Sequence, residues 1–408
     1  MIEQNVSYET KSEQLNNRSL FLSNLAQTSD SPLMLEIERA EGIWMFGQNG
    51  EKYMDLISGI GVSAVGHNHP AIVAAIKSQV DKHLHLMVYG EFVQSAQVML
   101  AQALVSTLPI GLDNVYLVNS GSEAVEGALK LAKKYTGRSQ IISCHYAYHG
   151  STHGALSVSG SEPLKQAFRP LLPGIRHVTF SEIEDIELIN EETAAVIIET
   201  IQGEAGVKIA TLEYWKALRE KCTKTGTLLI LDEIQCGFGR TGKFWAFEHY
   251  DIKPDILTSA KAMGGGMPIG AFISSLEIMS TLKCDPILGH ISTFGGHPVS
   301  AAASLATINT IMKNGLLEEV DAKASAFKKK LRHPKIKMIR NVGLMMAIEF
   351  DSFNQLKSII DESISKGVLT DWFLFCDNAM RIAPPLTISI TEIEMACDIL
   401  LESIDSSV

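Results

Sequence analysis

Lys261 is the residue whose position in the sequence points most directly to chemistry. It follows the apolar run 255–258 and precedes three consecutive glycines at 264–266. Apolar and small neighbours disfavour the charged form of an amine, which lowers its pKa and makes it usable as a nucleophile or Schiff-base former. The alternative is an ordinary strand-end lysine before a loop, so Lys261 alone does not decide between the two interpretations.

Polar or glycine-rich segments also follow four other apolar runs. The runs 115–118, 140–143, 195–198 and 228–231 have the length and continuous apolar character of buried strands. Ligands of open parallel sheets bind beyond the carboxyl ends of the strands, so the residues that follow the runs belong together. They are Asn119-Ser120-Gly121-Ser122-Glu123, Tyr148-His149-Gly150, Glu199 with Glu204, and Asp232.

Each of these segments has a structural and a chemical interpretation. Ser120 and Glu123 have the spacing of a helix-capping box, while the backbone amides of the same turn can hold a phosphate group. Tyr148 can plug an apolar core or stack on a planar cofactor. Glu199 and Glu204 can be solvated loop carboxylates, or they can bind an arginine or a substrate amine.

Together these residues favour one cofactor, pyridoxal phosphate (PLP). This cofactor requires a lysine that bonds to its aldehyde and a carboxylate that keeps its pyridine nitrogen protonated. Lys261, twenty-nine residues after Asp232, and Asp232 itself meet these two requirements. Gly121 and Ser122 provide a helix start for the phosphate, and Tyr148 provides a ring for stacking. If these residues had only structural roles, it would be a coincidence that four successive strand ends carry the groups that PLP requires.

Two nucleotide-binding patterns occur in the segment 228–244, and both are incomplete. The apolar run with the Asp-Glu pair at 232–233 resembles a Walker B element, and 237–243 resembles a P-loop. Phe244 stands where a P-loop has its magnesium-binding Ser or Thr, and one strand cannot supply both elements. The glycines at 237, 239 and 242 also match a dinucleotide pattern, but five residues separate them from the strand. The sequence therefore favours neither an ATP nor an NAD site.

The elements that position these residues form an α/β fold. Short apolar runs alternate with helical segments from about residue 114 to 272, which predicts a mostly parallel central sheet covered on both faces. After residue 298, an Ala-rich helix and a strand at 343–350 indicate a smaller α+β unit. We expect an N-terminal segment of the small domain at 1–55, a large cofactor-binding domain at 56–298, and a C-terminal small domain at 299–408.

Composition restricts the partners of the chain. Of its 408 residues, 46% are hydrophobic, and the formal net charge of -11 argues against nucleic acid or an anionic membrane as the main partner. The six cysteines form no Cys-x-x-Cys pair, so the sequence predicts neither a zinc or other metal site nor a disulfide framework. We find no targeting signal and no apolar stretch long enough to span a membrane, and we expect a cytoplasmic protein.

The sequence resembles the class III aminotransferases, PLP enzymes of fold type I, from about residue 32 to 388. The resemblance rests on eight segments that occur in this order: Gly66-His67-Asn68-His69-Pro70, Asn119-Ser120-Gly121-Ser122-Glu123-Ala124, Tyr148-His149-Gly150, Gln202-Gly203-Glu204, Leu231-Asp232-Glu233-Ile234-Gln235, Lys261-Ala262-Met263-Gly264-Gly265-Gly266, Ser292-Thr293-Phe294-Gly295-Gly296, and Arg381-Ile382-Ala383-Pro384-Pro385-Leu386.

The resemblance implies a role for each matching residue. Lys261 would be the Schiff-base lysine and the base that moves the proton, and Asp232 would pair with the ring nitrogen. The remaining cofactor contacts would be Gln235 on the phenolic oxygen, Tyr148 stacked on the ring with His149 beside it, and Gly121 with Ser122 on the phosphate. Thr293 would reach the phosphate of the neighbouring subunit, which implies a homodimer with shared active sites.

The resemblance also implies how substrates are held. Arg381 would bind a substrate α-carboxylate as a bidentate fork. In relatives that use glutamate, a carboxylate neutralises this arginine during the amine-donating half-reaction and then swings away; Glu199 and Glu204 are the candidates here.

Two departures from the family pattern bear on the substrate. Many relatives have an arginine that binds the distal carboxylate of 2-oxoglutarate where this chain has Ser151, and ornithine-specific relatives have a tyrosine where it has Ile60. Ornithine is therefore disfavoured as a donor. Either another cation such as Arg169 binds the distal carboxylate, or the oxo acid lacks one.

These observations predict an aminotransferase that moves an amino group from a primary-amine donor to a 2-oxo acid such as 2-oxoglutarate or pyruvate by a ping-pong mechanism. The donor would be an ω-amino acid or a diamine, of the acetylornithine or 4-aminobutyrate type. The alternative is a family relative that does not transaminate: an aminomutase, a dialkylglycine-type decarboxylase or an amino-acid racemase.

Overall fold

The computed structural model describes residues 16–88 and 90–407. Their strands, in chain order, are β1 (Ile37–Glu41), β2 (Trp44–Gly47), β3 (Lys52–Asp55), β4 (Asn114–Val118), β5 (Gln140–Cys144), β6 (Ile175–Val178), β7 (Thr193–Glu199), β8 (Leu228–Asp232), β9 (Ile256–Ser259), β10 (Gly270–Ser274), β11 (Met338–Val342), β12 (Met345–Glu349), β13 (Val368–Leu369), β14 (Asp371–Phe373) and β15 (Cys376–Ile382).

The helices are α1 (Asn17–Asn24), α2 (Ser58–Gly61), α3 (Pro70–Val80), α4 (Ser95–Ser106), α5 (Gly121–Thr136), α6 (His153–Val158), α7 (Glu162–Lys165), α8 (Leu212–Thr225), α9 (Leu276–Ser280), α10 (Pro298–Lys313), α11 (Leu316–Lys330), α12 (Phe353–Ser365) and α13 (Ile390–Ser406). The single turn α2 is unusual because all four of its residues have positive φ angles.

The central sheet has seven strands in the order β4-β10-β9-β8-β7-β5-β6. Neighbours from β9 through β6 are parallel, whereas β10 runs antiparallel to both β4 and β9. The strands β7, β8 and β10 are buried along their whole length, which explains their continuous apolar sequences. The predicted α/β class with a mostly parallel sheet is confirmed.

Only Asn119 and Ser120 separate the end of β4 from the start of helix α5. The Ser120 hydroxyl accepts a hydrogen bond from the Glu123 amide at 3.2 Å, and Gly137, with φ of 69°, ends the helix. The Glu123 carboxylate bonds to the Asn119 amide at 2.6 Å instead of the Ser120 amide, so only half of the capping box forms. The amides of Gly121 and Ser122 have no carbonyl one helical turn earlier to donate to, because they open the helix.

The smaller unit combines both ends of the chain. Strand β13, from the C-terminal part, pairs in parallel with β3 from the N-terminal part in the sheet β1-β2-β3-β13. A second, antiparallel sheet has the order β11-β12-β15-β14, and α12 packs against its strand β15. The smaller α+β unit is therefore built from N- and C-terminal segments; the boundaries 1–55, 56–298 and 299–408 stay a prediction.

In the ranges 16–88 and 90–407, no helix combines the length and hydropathy needed to cross a membrane. Over the same ranges, no group of three or more His, Cys, Asp or Glu side chains is arranged to hold a metal ion.

Candidate active site

The carboxyl ends of the central strands surround a cavity of about 470 Å³, within the size range of small-molecule sites. Nine of the residues selected from the sequence line it together: Gly121, Ser122, Tyr148, His149, Glu199, Glu204, Asp232, Gln235 and Lys261. Because parallel strands end at the same edge of a sheet, residues up to 140 positions apart in the chain meet here.

Lys261 lies two residues after the end of β9, in a sharp turn. Its φ of 47° is in the left-handed region, a strained conformation for a residue with a side chain. Burial lowers the pKa of its amine, and the positive charge of Arg381 acts in the same direction. The carboxylates of Glu204 and Asp232 oppose this shift. The amine is therefore closer to its neutral, nucleophilic form than a surface lysine would be.

Asp232, at the end of β8, binds a histidine. Its Oδ2 accepts a hydrogen bond from His149 Nδ1 at 2.7 Å, and its Oδ1 accepts one from the Ile234 amide at 3.0 Å. Both side chains are buried, with exposed fractions of 3% for Asp232 and 0% for His149. This arrangement fixes the Asp232 carboxylate at the cavity wall.

Glu199 anchors two loops. Its Oε1 accepts from the Tyr148 amide at 3.0 Å, and its Oε2 accepts from the Gly203 amide at 2.9 Å. Burial raises the pKa of Glu199 to about 7, with His149 lowering it and Asp232 raising it further. Both oxygens are thus bonded to backbone amides, and Glu199 holds the loop of the aromatic ring in place without contacting Arg381.

Glu204 is the carboxylate that pairs with Arg381. The guanidinium Nη1 and Nη2 donate to its two oxygens at 2.8 and 3.1 Å, a bidentate pair with both side chains more than nine-tenths buried. Burial opposes ionisation of Glu204, but Arg381 outweighs it and the pKa falls to about 2. Gln235 Nε2 donates to the same carboxylate at 2.9 Å. Glu204 lines the cavity and Arg381 lies behind it, in a small adjoining pocket.

The opposite end of the cavity is formed by the start of α5 and the loop at 148–151. Gly150, with φ of 125°, approaches so closely that a Cβ there would lie 2.1 Å from Ser122 Oγ. Ser122 Oγ accepts from the Ser151 amide at 3.3 Å, and Tyr148 Oη lies 3.3 Å from Ser151 Oγ. Free helix amides, small residues and hydroxyls form a suitable site for a phosphate group.

The residues present fit PLP on structural grounds. The cavity has a helix start at one end, an aromatic ring on its wall and a carboxylate fixed by a histidine, with a desolvated lysine between them. Two buried polar atoms on or near it, Gln235 Oε1 and His149 Nε2, have no hydrogen-bond partner in the described ranges. Buried polar atoms are seldom left unpaired, so these are available to a bound molecule.

Besides Arg381, four sequence candidates do not line the cavity. Ser151 lies beside it, at the hydroxyl contact of Tyr148. Ile60 is partly exposed in the turn α2, and Thr293 is exposed. Arg169 is exposed and paired with Glu162, so it does not supply a cation to the site.

The sequence reasoning missed one site residue, Asp371. It lies opposite Arg381 in the strand pair β14–β15, and its Oδ1 accepts from Arg381 Nε at 2.9 Å. The available signal was an acidic residue ten positions before the arginine, on the other strand of a tight hairpin.

This fold, with a lysine, a carboxylate and a helix start at the strand ends, defines a PLP-dependent enzyme of fold type I. A model of the family described as aminotransferase class-III matches residues 25–404, and the chain belongs to that family. It is a PLP-dependent transaminase.

Several relatives cover nearly the whole chain. The acetylornithine aminotransferase of Caldanaerobacter subterraneus subsp. tengcongensis is 39% identical over 381 residues, covering 90% of this chain and 94% of the relative. A [LysW]-aminoadipate semialdehyde/glutamate semialdehyde transaminase of Sulfolobus acidocaldarius is also 39% identical, with coverages of 91% and 95%. Among solved structures, ornithine aminotransferase from Toxoplasma gondii ME49 superposes with a TM-score of 0.89 at 28% identity, with 96% of each chain covered.

We predict that the two adjacent acids Asp232 and Glu233 respond differently to amide substitution. Asp232→Asn should slow amino transfer by ~100-fold or more, because a neutral amide no longer favours a protonated ring nitrogen. Its melting temperature should change little. Steady-state kinetics and thermal denaturation of the holoenzyme measure both effects.

Glu233→Gln is the matched control. Its buried carboxylate accepts from the amides of Ala246 and Phe247, each at 2.8 Å, and lines no part of the cavity. The substitution should therefore lower the free energy of unfolding by ~1–3 kcal/mol while the turnover of the folded enzyme persists. Equal catalytic losses in the two variants would contradict the assignment of Asp232.

Proposed function

We propose that the protein transfers an amino group from an ω-amine donor to a monocarboxylic 2-oxo acid by a ping-pong mechanism. The observation that carries this proposal is the buried Glu204–Arg381 pair, which places a removable carboxylate in front of a carboxylate-binding fork beside Lys261.

PLP supplies an electron sink for the negative charge that develops on the substrate carbon when a proton leaves. Lys261, with its lowered pKa, would take that proton from carbon and return it at the cofactor's C4′. Asp232, held by His149, would keep the ring nitrogen protonated. Gln235 would hydrogen-bond to the phenolic oxygen, and Tyr148 would stack on the ring.

The donor half-reaction uses the closed state of the fork. With Glu204 bound to Arg381, the site offers no free guanidinium to an α-carboxylate, which suits a donor whose reacting amine is at the far end of its carbon chain. The names of the acetylornithine aminotransferases among the relatives support this donor class. In the second half-reaction, the carboxylate of the oxo acid would take the place of Glu204 on Arg381.

The cavity favours an acceptor with one carboxylate. Of the lysines and arginines in the described ranges, only Lys261 lines it, and Arg381 can bind a single carboxylate when Glu204 moves. Ser151, where many relatives have an arginine, presents a hydroxyl bonded to Tyr148. A second carboxylate would enter without a cation to neutralise it, so we propose pyruvate and its alkyl homologues over 2-oxoglutarate.

We further propose a cytoplasmic homodimer with shared active sites. A groove of about 580 Å³ includes Phe92, Ile287 and Ile291, whose exposed fractions are 52%, 76% and 51%. An apolar surface of this kind is typical of a subunit interface. Thr293 is exposed two residues beyond Ile291. In the proposed dimer it would bind the phosphate of the partner's cofactor.

The proposed function predicts two separable half-reactions. A single ω-amine added to the purified holoenzyme should convert the bound cofactor stoichiometrically to its pyridoxamine form, followed by absorbance, and an oxo acid should restore the starting spectrum. Restoration should need a lower concentration of pyruvate than of 2-oxoglutarate, because only the latter has an uncompensated second carboxylate. Release of CO2, or an isomerised product without net conversion, would contradict transamination.

Glu204→Ala should change donor selectivity. With Arg381 permanently uncovered, donors that carry an α-carboxylate should gain relative to ω-amines by ~10-fold or more in kcat/KM. Stopped-flow half-reactions with glutamate and with an ω-amine, in the variant and in the wild type, measure the ratio. Normal glutamate turnover with unchanged donor selectivity would rule out the switch.

A further inference from the structure

Arg381 pairs with a second carboxylate, that of Asp371, which is positioned differently from that of Glu204. Asp371 stands directly across from Arg381 in the antiparallel pair of β14 and β15, so the sheet fixes its position. Thr370, one residue earlier, donates to the Arg381 carbonyl at 2.6 Å and strengthens the same strand pairing. Glu204 instead belongs to the turn after β7, which is part of the large domain. Asp371 is therefore attached to the same sheet as Arg381, whereas Glu204 is on a loop outside that sheet.

The two carboxylates bind different edges of the guanidinium. Asp371 Oδ1 accepts from Nε at 2.9 Å, and the Trp372 carbonyl accepts from Nη2 at 3.2 Å. The Phe373 ring lies below the guanidinium, with its centroid 4.7 Å from Cζ. Glu204 alone occupies the outer edge formed by Nη1 and Nη2. When Glu204 leaves, these hydrogen bonds and the ring keep the guanidinium plane in place with its outer edge open.

We propose that Asp371 is a positioning residue that holds the Arg381 fork by its Nε edge, so that the substrate carboxylate finds the same two donors that Glu204 vacates. This inference rests on the proposed function, because it assumes that a substrate carboxylate binds Arg381. A long, flexible arginine side chain loses conformational freedom when it is ordered, and an arginine held in advance binds its ligand without that penalty.

The chemistry of Asp371 agrees with a geometric role. Its side chain is 25% exposed, against 6% for Glu204. Burial raises the pKa of Asp371 to about 6; Arg381 lowers it and the charge of Glu204 raises it further. Asp371 makes one hydrogen bond to Arg381, through a single oxygen, whereas Glu204 makes two. A neutral oxygen acceptor at position 371 should therefore hold Nε nearly as well as a carboxylate.

The test compares Asp371→Asn with Asp371→Ala in the holoenzyme. Asparagine keeps an oxygen that accepts from Nε, so its KM for pyruvate should stay within ~3-fold of the wild type. Alanine removes the acceptor and should raise this KM by ~10-fold or more. The rate of the ω-amine half-reaction, in which Glu204 holds the fork, should be unchanged in both variants.

Glu349→Ala is the matched control. Glu349 pairs with Arg340 in the same small-domain sheet, is exposed to a similar degree at 30%, and lines no part of the cavity. Its KM for pyruvate should equal that of the wild type. Parallel losses of both half-reactions in Asp371→Ala, or a loss in Asp371→Asn as large as in Asp371→Ala, would overturn the proposal.

A binding measurement separates this inference from the proposed function. Calorimetric titration of the holoenzyme with propionate, which cannot accept an amino group, should show ~10-fold weaker binding to Asp371→Ala than to the wild type and near-normal binding to Asp371→Asn. This result would support the role of Asp371 even if the wild type failed to transfer amino groups to pyruvate. Equal propionate affinities in all three proteins would refute it.

Discussion

The structure depends on keeping one primary amine out of water at the place where the central strands end. Desolvation of Lys261 disfavours its charge, and the surrounding groups balance this effect: Glu204 and Asp232 favour the ammonium, and Arg381 opposes it. The strained turn after β9 and the buried strands beside it hold the amine in this environment. A lysine on a flexible loop would be hydrated and charged, and a charged amine has no lone pair with which to bond to the aldehyde of the cofactor.

Near this amine, an ion pair connects the central-sheet part of the molecule to the small-domain sheet. The loop after β7 carries Glu204, and the small-domain sheet carries Arg381 with Asp371. A buried ion pair contributes little net stability, because desolvation offsets most of its attraction. In the proposed mechanism the pair matters because it is exchangeable: a substrate carboxylate would replace Glu204 with no change in the number of carboxylates bound to the guanidinium. Under that proposal, specificity for the two substrates would depend on which carboxylate is bound to Arg381.

Much of this arrangement could be predicted from the sequence, because it depends on local patterns. The apolar runs that became β4, β5, β7 and β8 and the helix α5 were predicted from length and hydropathy. The geometry of parallel sheets then predicted that the polar residues at the strand ends lie close together. The antiparallel direction of β10 could not be predicted, because a strand buried on both faces reads the same in either direction. The choice between Glu199 and Glu204 also required the tertiary structure, since only the loop path shows that backbone amides occupy Glu199. Asp371 could be identified as a site residue only from the register of the β14–β15 hairpin.

The central claim is that the cofactor attaches to the desolvated amine of Lys261. Borohydride reduction of the holoenzyme followed by proteolysis and peptide mass spectrometry tests it directly, because reduction makes the attachment permanent. The account predicts one phosphopyridoxyl group per chain, on the peptide that contains Lys261, and none on that peptide in Lys261→Ala. A label on a different lysine, or a wild-type chain that carries none, would contradict it.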